Sequence, residues 1–276
     1  MEISVQDYAR ECADKGLRGN YNVCRSDFTV EQEYDYTDAE QEVWRILSDR
    51  QTKLTKRLAH KSYLDGVEAL GLIDRIPDFD EVSQKLRKLT NWELVAVPGL
   101  IPAPAFFDHL AERRFPVTNW LRKREELDYI VEPDMFHDFF GHVPALTQPA
   151  FADFMQMYGQ KAESLIELGG GDMIERLYWY TAEFGLMQEA GKVKAFGAGL
   201  MSSFSELQFA VESPDAHHVP FDIETVMRTV YEIDKFQRAY FVLPSFSALR
   251  DGFEKSDLAA IIARWKDAPV LDPATI

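Results

Sequence analysis

The chain is poor in cysteine and has no long run of apolar residues. Cys12 and Cys24 are the only cysteines among 276 residues, and they do not form a CxxC pair. A disulfide framework and a metal site built from thiolates are therefore both excluded. No stretch reaches the length of about 18 apolar residues that a membrane span needs, and the charged N-terminus lacks the apolar segment of a signal peptide. We therefore expect a cytoplasmic protein without a membrane partner.

Positive charge is also scarce. Lys and Arg number 30 against 46 Asp and Glu, which gives a net charge of −16. This balance argues against nucleic acid as a partner and against binding to an anionic membrane. The sequence also lacks repeats, low-complexity tracts and Ser/Gly-rich linkers, and apolar residues make up 46 % of it. These features favour a single globular domain over residues 1–276.

Hydrophobic periodicity predicts a mostly α-helical fold with a few short β-strands. A long helix is expected from Thr37 to His60, because Thr37 and Glu40 form a capping-box pattern ahead of apolar residues at helical spacing. Residues 1–35 have no sustained period and are expected to form an irregular lead-in. Further helices are expected at residues 77–90, 107–114, 148–167, 172–190, 202–212, 222–234 and 246–267, and short strands at 92–99, 115–120, 194–199 and 239–244.

Two of the six histidines lie five residues apart in the stretch EPDMFHDFFGHVP. On an ideal α-helix residues five apart are separated by about 140°, so His137 and His142 converge only if the helix is interrupted. A helix begun near Pro133 is expected to end at Gly141. Pro144 prevents its continuation, so that His142 can swing back toward His137. Imidazole is a ligand for iron, zinc or copper, but a histidine pair is about as often part of an ordinary core.

A third ligand is expected from a carboxylate elsewhere in the chain. Asp138 directly follows the first histidine and points the wrong way on a helix for joint chelation with it. Glu183 lies in LYWYTAEFGLMQ among largely apolar neighbours, where a carboxylate needs a cation or strong hydrogen bonds to stay ionised. The plainer interpretation of Glu183 is a helix residue that faces solvent.

Two histidines and one glutamate, with no cysteine, are typical of a non-haem iron centre with open coordination positions. Phenylalanines between and beside the histidines are expected to provide its dry lining. Zinc hydrolysis is the competing interpretation. However, HDFFGH lacks the glutamate base that the HExxH motif supplies.

Three motifs, EPDMFHDFFGHVP, YWYTAEFGL and GAGLMSSFSELQ, together resemble the pterin-dependent aromatic amino acid hydroxylases. The resemblance runs from about Trp92 to Phe253 and is strongest to the short bacterial phenylalanine 4-hydroxylases. It implies a single catalytic domain of that type, which uses Fe(II), a tetrahydropterin and O₂ to convert L-phenylalanine to L-tyrosine. In that family the iron ligands are two histidines from the first motif and a glutamate from the second. They fall here on His137, His142 and Glu183.

The resemblance also implies a pterin site in the loop VPGLIPAPAF. Gly99, Leu100 and Ile101 are expected to contact the pterin through their backbone, and Phe106 is expected to stack on its ring. Asp138 is expected to contact the pterin through water. Longer animal members have glutamate at the position of Asp138, so this contact is expected to differ from theirs.

A substrate site follows from the same resemblance. Arg122 is expected to hold the substrate carboxylate, and Asp134 is expected to position it. Pro133 and Trp179 are expected to grip the substrate ring, and Ser202 is expected near its amino acid moiety. Ile130 stands where longer animal members have threonine, so one polar contact to the substrate is expected to be absent.

The chain is expected to lack the N-terminal regulatory domain and the C-terminal tetramerisation helix of longer family members, and to be a monomer. Three alternatives remain open. A tryptophan or tyrosine hydroxylase of the same family shares all the ligands, and only the shape of the ring pocket separates it. A zinc hydrolase binds metal at the same residues without pterin or O₂. A non-enzymatic helical binding module needs no metal.

Overall fold

Capped helices make up most of the fold, as the periodicity predicts. The computed structural model describes residues 3–32 and 35–276. The predicted capping box is present, since Thr37 and Glu40 each accept a hydrogen bond from the other's backbone N–H. The helices are α1 (Val5–Asp14), α2 (Asp38–Leu58), α3 (Lys61–Leu70), α4 (Phe79–Thr90), α5 (Ala103–Ala111), α6 (Pro149–Glu167), α7 (Gly171–Tyr178), α8 (Ala198–Ser202), α9 (Phe204–Glu212), α10 (Ile223–Arg228), α11 (Phe246–Lys255) and α12 (Leu258–Trp265).

Short strands form two small sheets. They are β1 (Glu93–Val97), β2 (Arg114–Thr118), β3 (Leu186–Glu189), β4 (Lys192–Ala195), β5 (His217–Pro220) and β6 (Ala239–Leu243). Strands β1 and β2 pair in parallel and are joined through α5, with Glu93 opposite Arg114. The second sheet has the order β4-β3-β6-β5, in which β3 is antiparallel to β4 and parallel to β6. The fold is thus mostly helical with a few short strands, as predicted.

The phenylalanines of the histidine stretch belong to the main hydrophobic core. Phe136 and Phe139 are fully buried, and their ring centroids lie 5.2 and 6.4 Å from that of Trp44 on α2. Tyr63 on α3 donates a hydrogen bond to the carbonyl of Phe140. The prediction that these rings line a metal pocket is therefore wrong, because they anchor the stretch to the core behind it.

Within the described residues, no helix is long and apolar enough to cross a bilayer.

Part of the predicted irregular lead-in is helical. Val5–Asp14 form α1, which Ser4 caps by accepting a hydrogen bond from the N–H of Asp7. A 3₁₀ turn follows at Tyr21–Val23. The prediction was therefore wrong for these segments; residues 1, 2, 33 and 34 of the lead-in lie outside the described residues.

Two later helices are shorter than predicted. Residues 172–190 divide into α7, a π-helical turn and β3, because the chain after Glu183 pairs with β4 and β6. The helix predicted at 222–234 stops at Arg228, since Thr229 forms a bridge with Leu271. Helix α3 and strand β5 have no counterpart among the predicted elements.

The N-terminal segment packs against the loop that follows β1. The hydroxyl of Tyr8 donates a hydrogen bond to the carbonyl of Leu100 at 3.2 Å. Gly19 has φ +92, and a Cβ there would lie 1.9 Å from the carbonyl oxygen of Pro98, so only glycine fits this contact. The backbone N–H of Arg18 donates to the carboxylate of Glu132 at 3.1 Å. Residues far apart in sequence therefore hold this loop in place.

Candidate metal centre

A π-helical turn, not a helix end, brings the two histidines together. Residues His137–His142 form this turn, and the next N–H, that of Val143, bonds back five residues to the carbonyl of Asp138. Because hydrogen bonds close over five residues in a π-helix, residues five apart lie one turn above each other. The imidazole centroids of His137 and His142 are 4.8 Å apart. The predicted convergence is confirmed, but the predicted break in the helix is wrong.

Gly141 has a different role from the predicted one. It lies inside the π-helical turn, and the chain continues as a 3₁₀ turn at Val143–Thr147 that contains Pro144. A Cβ at Gly141 would lie 2.9 Å from the carbonyl oxygen and 3.0 Å from the Cβ of Ala198. Glycine is therefore needed because α8 packs directly against this turn.

Glu183 approaches the histidines from a second π-helical turn. Trp179–Glu183 form this turn at the end of α7. The Oε1 of Glu183 lies 3.1 Å from Nε2 of His142, and its Oε2 lies 3.6 Å from Nε2 of His137. The two Nε2 atoms are 3.0 Å apart. The interpretation of Glu183 as a residue that faces solvent is therefore wrong.

These three donor atoms fit a single metal ion. Two atoms bound at roughly 2.1 Å, and at right angles about one ion, lie roughly 3 Å apart. All the donor atoms of the trio lie within 4.8 Å of one another. Two imidazole nitrogens and one carboxylate oxygen on one side of an ion are the donor set of the facial triad, which leaves coordination positions open. The geometry is thus suited to non-haem iron.

The protonation states of the trio also suit metal binding. Burial opposes the charge on Glu183, but His142 and His137 more than reverse this and hold its pKa at about 2. Burial lowers the pKa of His137 to about 4, so its imidazole is neutral at pH 7. Burial also opposes the charge on His142, but the carboxylate of Glu183 outweighs it and raises the pKa. A metal ion must therefore compete with a proton at His142.

Ser202 fixes the orientation of the first histidine. Its hydroxyl donates to the carbonyl of Ala198 at 2.9 Å, and its oxygen lies 2.9 Å from Nδ1 of His137. With its proton directed to Ala198, the hydroxyl accepts from Nδ1–H, which leaves Nε2 of His137 free to bind metal. Ser202 therefore contacts the imidazole of His137, and its place near the amino acid moiety of the substrate stays a prediction.

We expect Ser202→Ala to weaken iron binding by about 10-fold to 100-fold, because loss of a partner behind a ligand typically costs this much. Competition between the protein and a chromophoric Fe(II) chelator measures the effect. Ser205→Ala, an exposed serine on α9, is the matched control. Equal iron affinity in the two variants would show that the Ser202 contact does not orient His137.

A cavity of about 280 Å³ opens in front of the trio. Every residue predicted to bind the pterin lies in its wall, together with one residue predicted to bind the substrate. They are Gly99, Leu100, Ile101, Phe106, Asp138 and Pro133. The ring of Phe106 packs edge-on against Tyr178 at 5.7 Å, which fixes it beside the cavity. The predicted pterin residues are therefore gathered at one opening beside the metal ligands.

Asp138 is buried in the cavity wall. Its Oδ2 accepts a hydrogen bond of 2.7 Å from the backbone N–H of Thr118 at the end of β2. Burial raises its pKa to about 7, although His142 and Thr118 act in the opposite sense. The carboxyl group can therefore act as an acceptor or, when protonated, as a donor toward a polar ligand in the cavity.

Arg122 and Asp134 form a fully buried ion pair. Nε and Nη2 of Arg122 each donate to a carboxylate oxygen of Asp134 at 2.8 Å. Asp134 also accepts hydrogen bonds from the backbone N–H groups of Arg122 and His137. The pair is thus tied to His137, the first histidine of the trio. The remaining guanidinium protons are still available to a carboxylate.

Trp179 lies apart from the cavity wall. Its ring stacks on Tyr231 at 4.2 Å and on Phe184 at 5.0 Å. Conversely, the cavity is lined by aromatic residues that the sequence analysis did not single out, Phe115 and Tyr178. Tyr178 repeats the histidine spacing, since it precedes Glu183 by five residues in a segment that turns into a π-helix. That repetition is the signal that could have identified it.

The chain is similar to known proteins along most of its length. Residues 25–264 match the family model described as "Biopterin-dependent aromatic amino acid hydroxylase". The chain is 76 % identical over 275 residues to the phenylalanine-4-hydroxylase of Mesorhizobium japonicum, a match that covers 99 % of this chain and 100 % of that protein. It is 46 % identical over 250 residues to that of Ralstonia nicotianae, which covers 90 % of this chain and 79 % of the relative.

A solved structure also matches the fold. The crystal structure of phenylalanine hydroxylase from Chromobacterium violaceum with iron and phenylalanine bound has a TM-score of 0.86 and 42 % sequence identity to this chain. The match covers 97 % of this chain and 96 % of that chain.

Proposed function

Because this chain belongs to the biopterin-dependent aromatic amino acid hydroxylases, we propose that it hydroxylates L-phenylalanine to L-tyrosine with Fe(II), a tetrahydropterin and O₂. The observation that carries the proposal is the trio of His137, His142 and Glu183 at the edge of a cavity lined by the loop after β1. When bound, iron and the tetrahydropterin together activate O₂ for insertion of one oxygen atom into the aromatic ring.

His137, His142 and Glu183 hold the iron in this proposal. Their side chains are at most 15 % exposed and all three line the cavity, so they would hold an ion at its wall. Open coordination positions on the iron would let O₂ reach it. The apolar wall, to which Phe115 and Tyr178 contribute, limits water at this place.

The loop after β1 binds the pterin in this proposal. Gly99, Leu100 and Ile101 offer backbone groups, and Phe106 offers a ring face to a flat heteroaromatic ligand. Asp138 supplies the polar contact in the same wall. The packing of the N-terminal segment on this loop supports the assignment, because a pre-ordered loop loses less entropy when a ligand binds.

The phenylalanine site lies on the other side of the cavity in this proposal. Arg122 binds the substrate carboxylate with the protons that Asp134 leaves free. Pro133, in the cavity wall, contacts the substrate ring. Trp179, which stacks on Tyr231 behind the cavity wall, borders the pocket for the substrate ring. Ser202 affects this site through its contact with His137.

We further propose that residues 1–276 act as one catalytic domain, as a cytoplasmic monomer. Helices α2 to α12 all contribute to one main hydrophobic core, which supports a single domain, while α1 packs in a small separate cluster with Tyr21. Sedimentation equilibrium tests the oligomeric state against the chain mass of 31.7 kDa. A stable tetramer contradicts the proposal.

Purified protein with Fe(II), tetrahydropterin and O₂ tests the activity, with each of the three aromatic amino acids offered as substrate in turn. We expect tyrosine from phenylalanine, with oxidation of the pterin in equal amount. Hydroxylation of tryptophan or tyrosine in preference to phenylalanine would assign the alternative activity within the family. Zn(II) in place of Fe(II) is the control, and product formed with Zn(II) and no pterin would overturn the proposal.

A further inference from the structure

A second cavity of about 280 Å³ lies at the start of α7. Glu183 follows the opposite end of that helix. Its wall combines the first turn of α7 with the end of α10 and the end of α12. Three cationic side chains line it: Arg176, Arg228 and Lys266. The wall contains one acidic residue, Asp172. This excess of positive charge is unusual on a chain whose net charge is −16.

The two arginines are poorly compensated within the described residues. The side chain of Arg176 is only 13 % exposed, and its nearest carboxylate, that of Asp172, is 3.6 Å away and 87 % exposed. Arg228 has no ion pair in residues 3–32 and 35–276, and its buried Nε has no hydrogen-bond partner there. Both guanidinium groups are partly shielded from water, and such a group is stabilised by an anion beside it.

Internal contacts account for part of this arrangement. The guanidinium of Arg228 lies 3.5 Å from the ring centroid of Trp265, a cation–π contact. Nη1 of Arg176 donates to the carbonyl of Met227 at 3.3 Å, at the C-terminal end of α10, where cations are favoured. Most guanidinium protons of the two arginines are still unused after these contacts.

The remaining wall is also suited to an anion. Nζ of Lys266 donates to the carbonyl of Leu168 at 3.0 Å, which holds this ammonium beside the glycines that precede α7. A Cβ at Gly171 would meet nothing within 4 Å, so there is open space at this point of the wall. The first turn of α7 has no side-chain cap. Its N–H groups add to the positive charge of the three side chains.

We propose that this cavity binds a small phosphate-bearing anion, such as inorganic phosphate or a phosphate monoester. The two guanidinium groups offer planar pairs of N–H donors, and the ammonium offers a compact positive charge. Phosphate oxygens accept hydrogen bonds from both kinds of group. The cavity is larger than phosphate alone, so it has room for a small organic group. A ligand here braces the start of α7, whose far end continues into the turn that carries Glu183.

The test is the melting temperature of the iron-loaded protein with increasing inorganic phosphate, at an ionic strength held constant with sodium chloride. We expect an increase of about 5 °C once phosphate reaches a hundred times its dissociation constant. Titration calorimetry with phosphate is expected to give one site per chain. An increase no larger than that with chloride alone, or calorimetry without saturable binding, overturns the proposal.

Variants locate the binding. Arg228→Gln and Arg176→Gln are each expected to weaken phosphate binding about tenfold or more. Lys266→Gln is the milder variant should an arginine variant fail to fold, since this lysine lies at the surface, and a smaller loss is expected from it. The matched control is Arg264→Gln on α12, two residues before Lys266, whose side chain is 65 % exposed and faces Glu224. Phosphate binding that is equal in Lys266→Gln, Arg264→Gln and the unchanged protein overturns the site.

Discussion

Glu183→Ala is expected to reduce tyrosine formation by more than about 100-fold. Loss of a residue that only hydrogen-bonds to a metal ligand typically costs about 10-fold to 100-fold, and Glu183 is proposed as a ligand itself. The carboxylate is the only anionic donor of the trio and lies 3.1 Å from Nε2 of His142. Without it, two neutral imidazoles hold the ion, and iron is lost. We expect His142→Ala to have the same effect. Iron content after gel filtration and product formation by chromatography measure both losses.

The fold is expected to survive these replacements. Glu183 lies in a turn at the cavity and outside the main hydrophobic core, so its truncation removes little packing. Circular dichroism and the melting temperature of the metal-free proteins check this. Glu163→Ala, an exposed glutamate on α6, is the matched control and is expected to keep full iron content and activity. Undiminished turnover in Glu183→Ala would remove this residue from the metal site.

Arg122→Gln is expected to destabilise the protein by about 3–5 kcal/mol, because it leaves the carboxylate of Asp134 buried without its partner. Asp134 is 0 % exposed, so water cannot replace the guanidinium. For a chain of this size the melting temperature is expected to fall by about 10 °C. Thermal unfolding of the metal-free protein, followed by circular dichroism, measures the loss.

Arg122→Lys separates the structural role from substrate binding. Lysine keeps the positive charge beside Asp134, but its ammonium cannot form bidentate hydrogen bonds with that carboxylate. It also has no further planar N–H groups for the substrate carboxylate. We expect the KM for phenylalanine to rise about tenfold or more while the KM for the pterin stays unchanged. Arg113→Lys makes the same change at the ion pair with Asp153, which has no contact with His137, and is the control. A proportional rise of both KM values would mean that Arg122 acts only through stability.

The sequence predicted that His137, His142 and Glu183 come together, but it did not predict the backbone that brings them together. Apolar spacing reports a repeat of 3.6 residues, so it cannot reveal a turn that closes its hydrogen bonds over five. Gly141 was assigned to a helix end because glycine is common there. Its actual reason, contact with Ala198, depends on a residue distant in sequence, which no local pattern contains.

The same limit explains the other differences. Ser4 and Asp7 carried a visible capping signal for α1, but the glycine-rich and asparagine-rich residues that follow it obscured the helix. The strong helical pattern of residues 172–190 continued past Glu183, where pairing with β6 overrides it. The substrate role predicted for Arg122 came from family resemblance, because a charged stretch alone usually indicates a solvated face.

The spacing of the two histidines also has a meaning for insertions and deletions. A π-helical turn holds one residue more than the α-helical turn it replaces, so the histidine pair of the metal site corresponds to an ordinary pair four apart with one residue added. Removing that residue would keep both imidazoles on one face. The residue lost would come from the four between the histidines, among which Asp138 accepts a hydrogen bond from Thr118 and Gly141 packs against Ala198. The length of this segment is therefore constrained by the contacts of the residues between the histidines, and not only by the spacing of the two imidazoles.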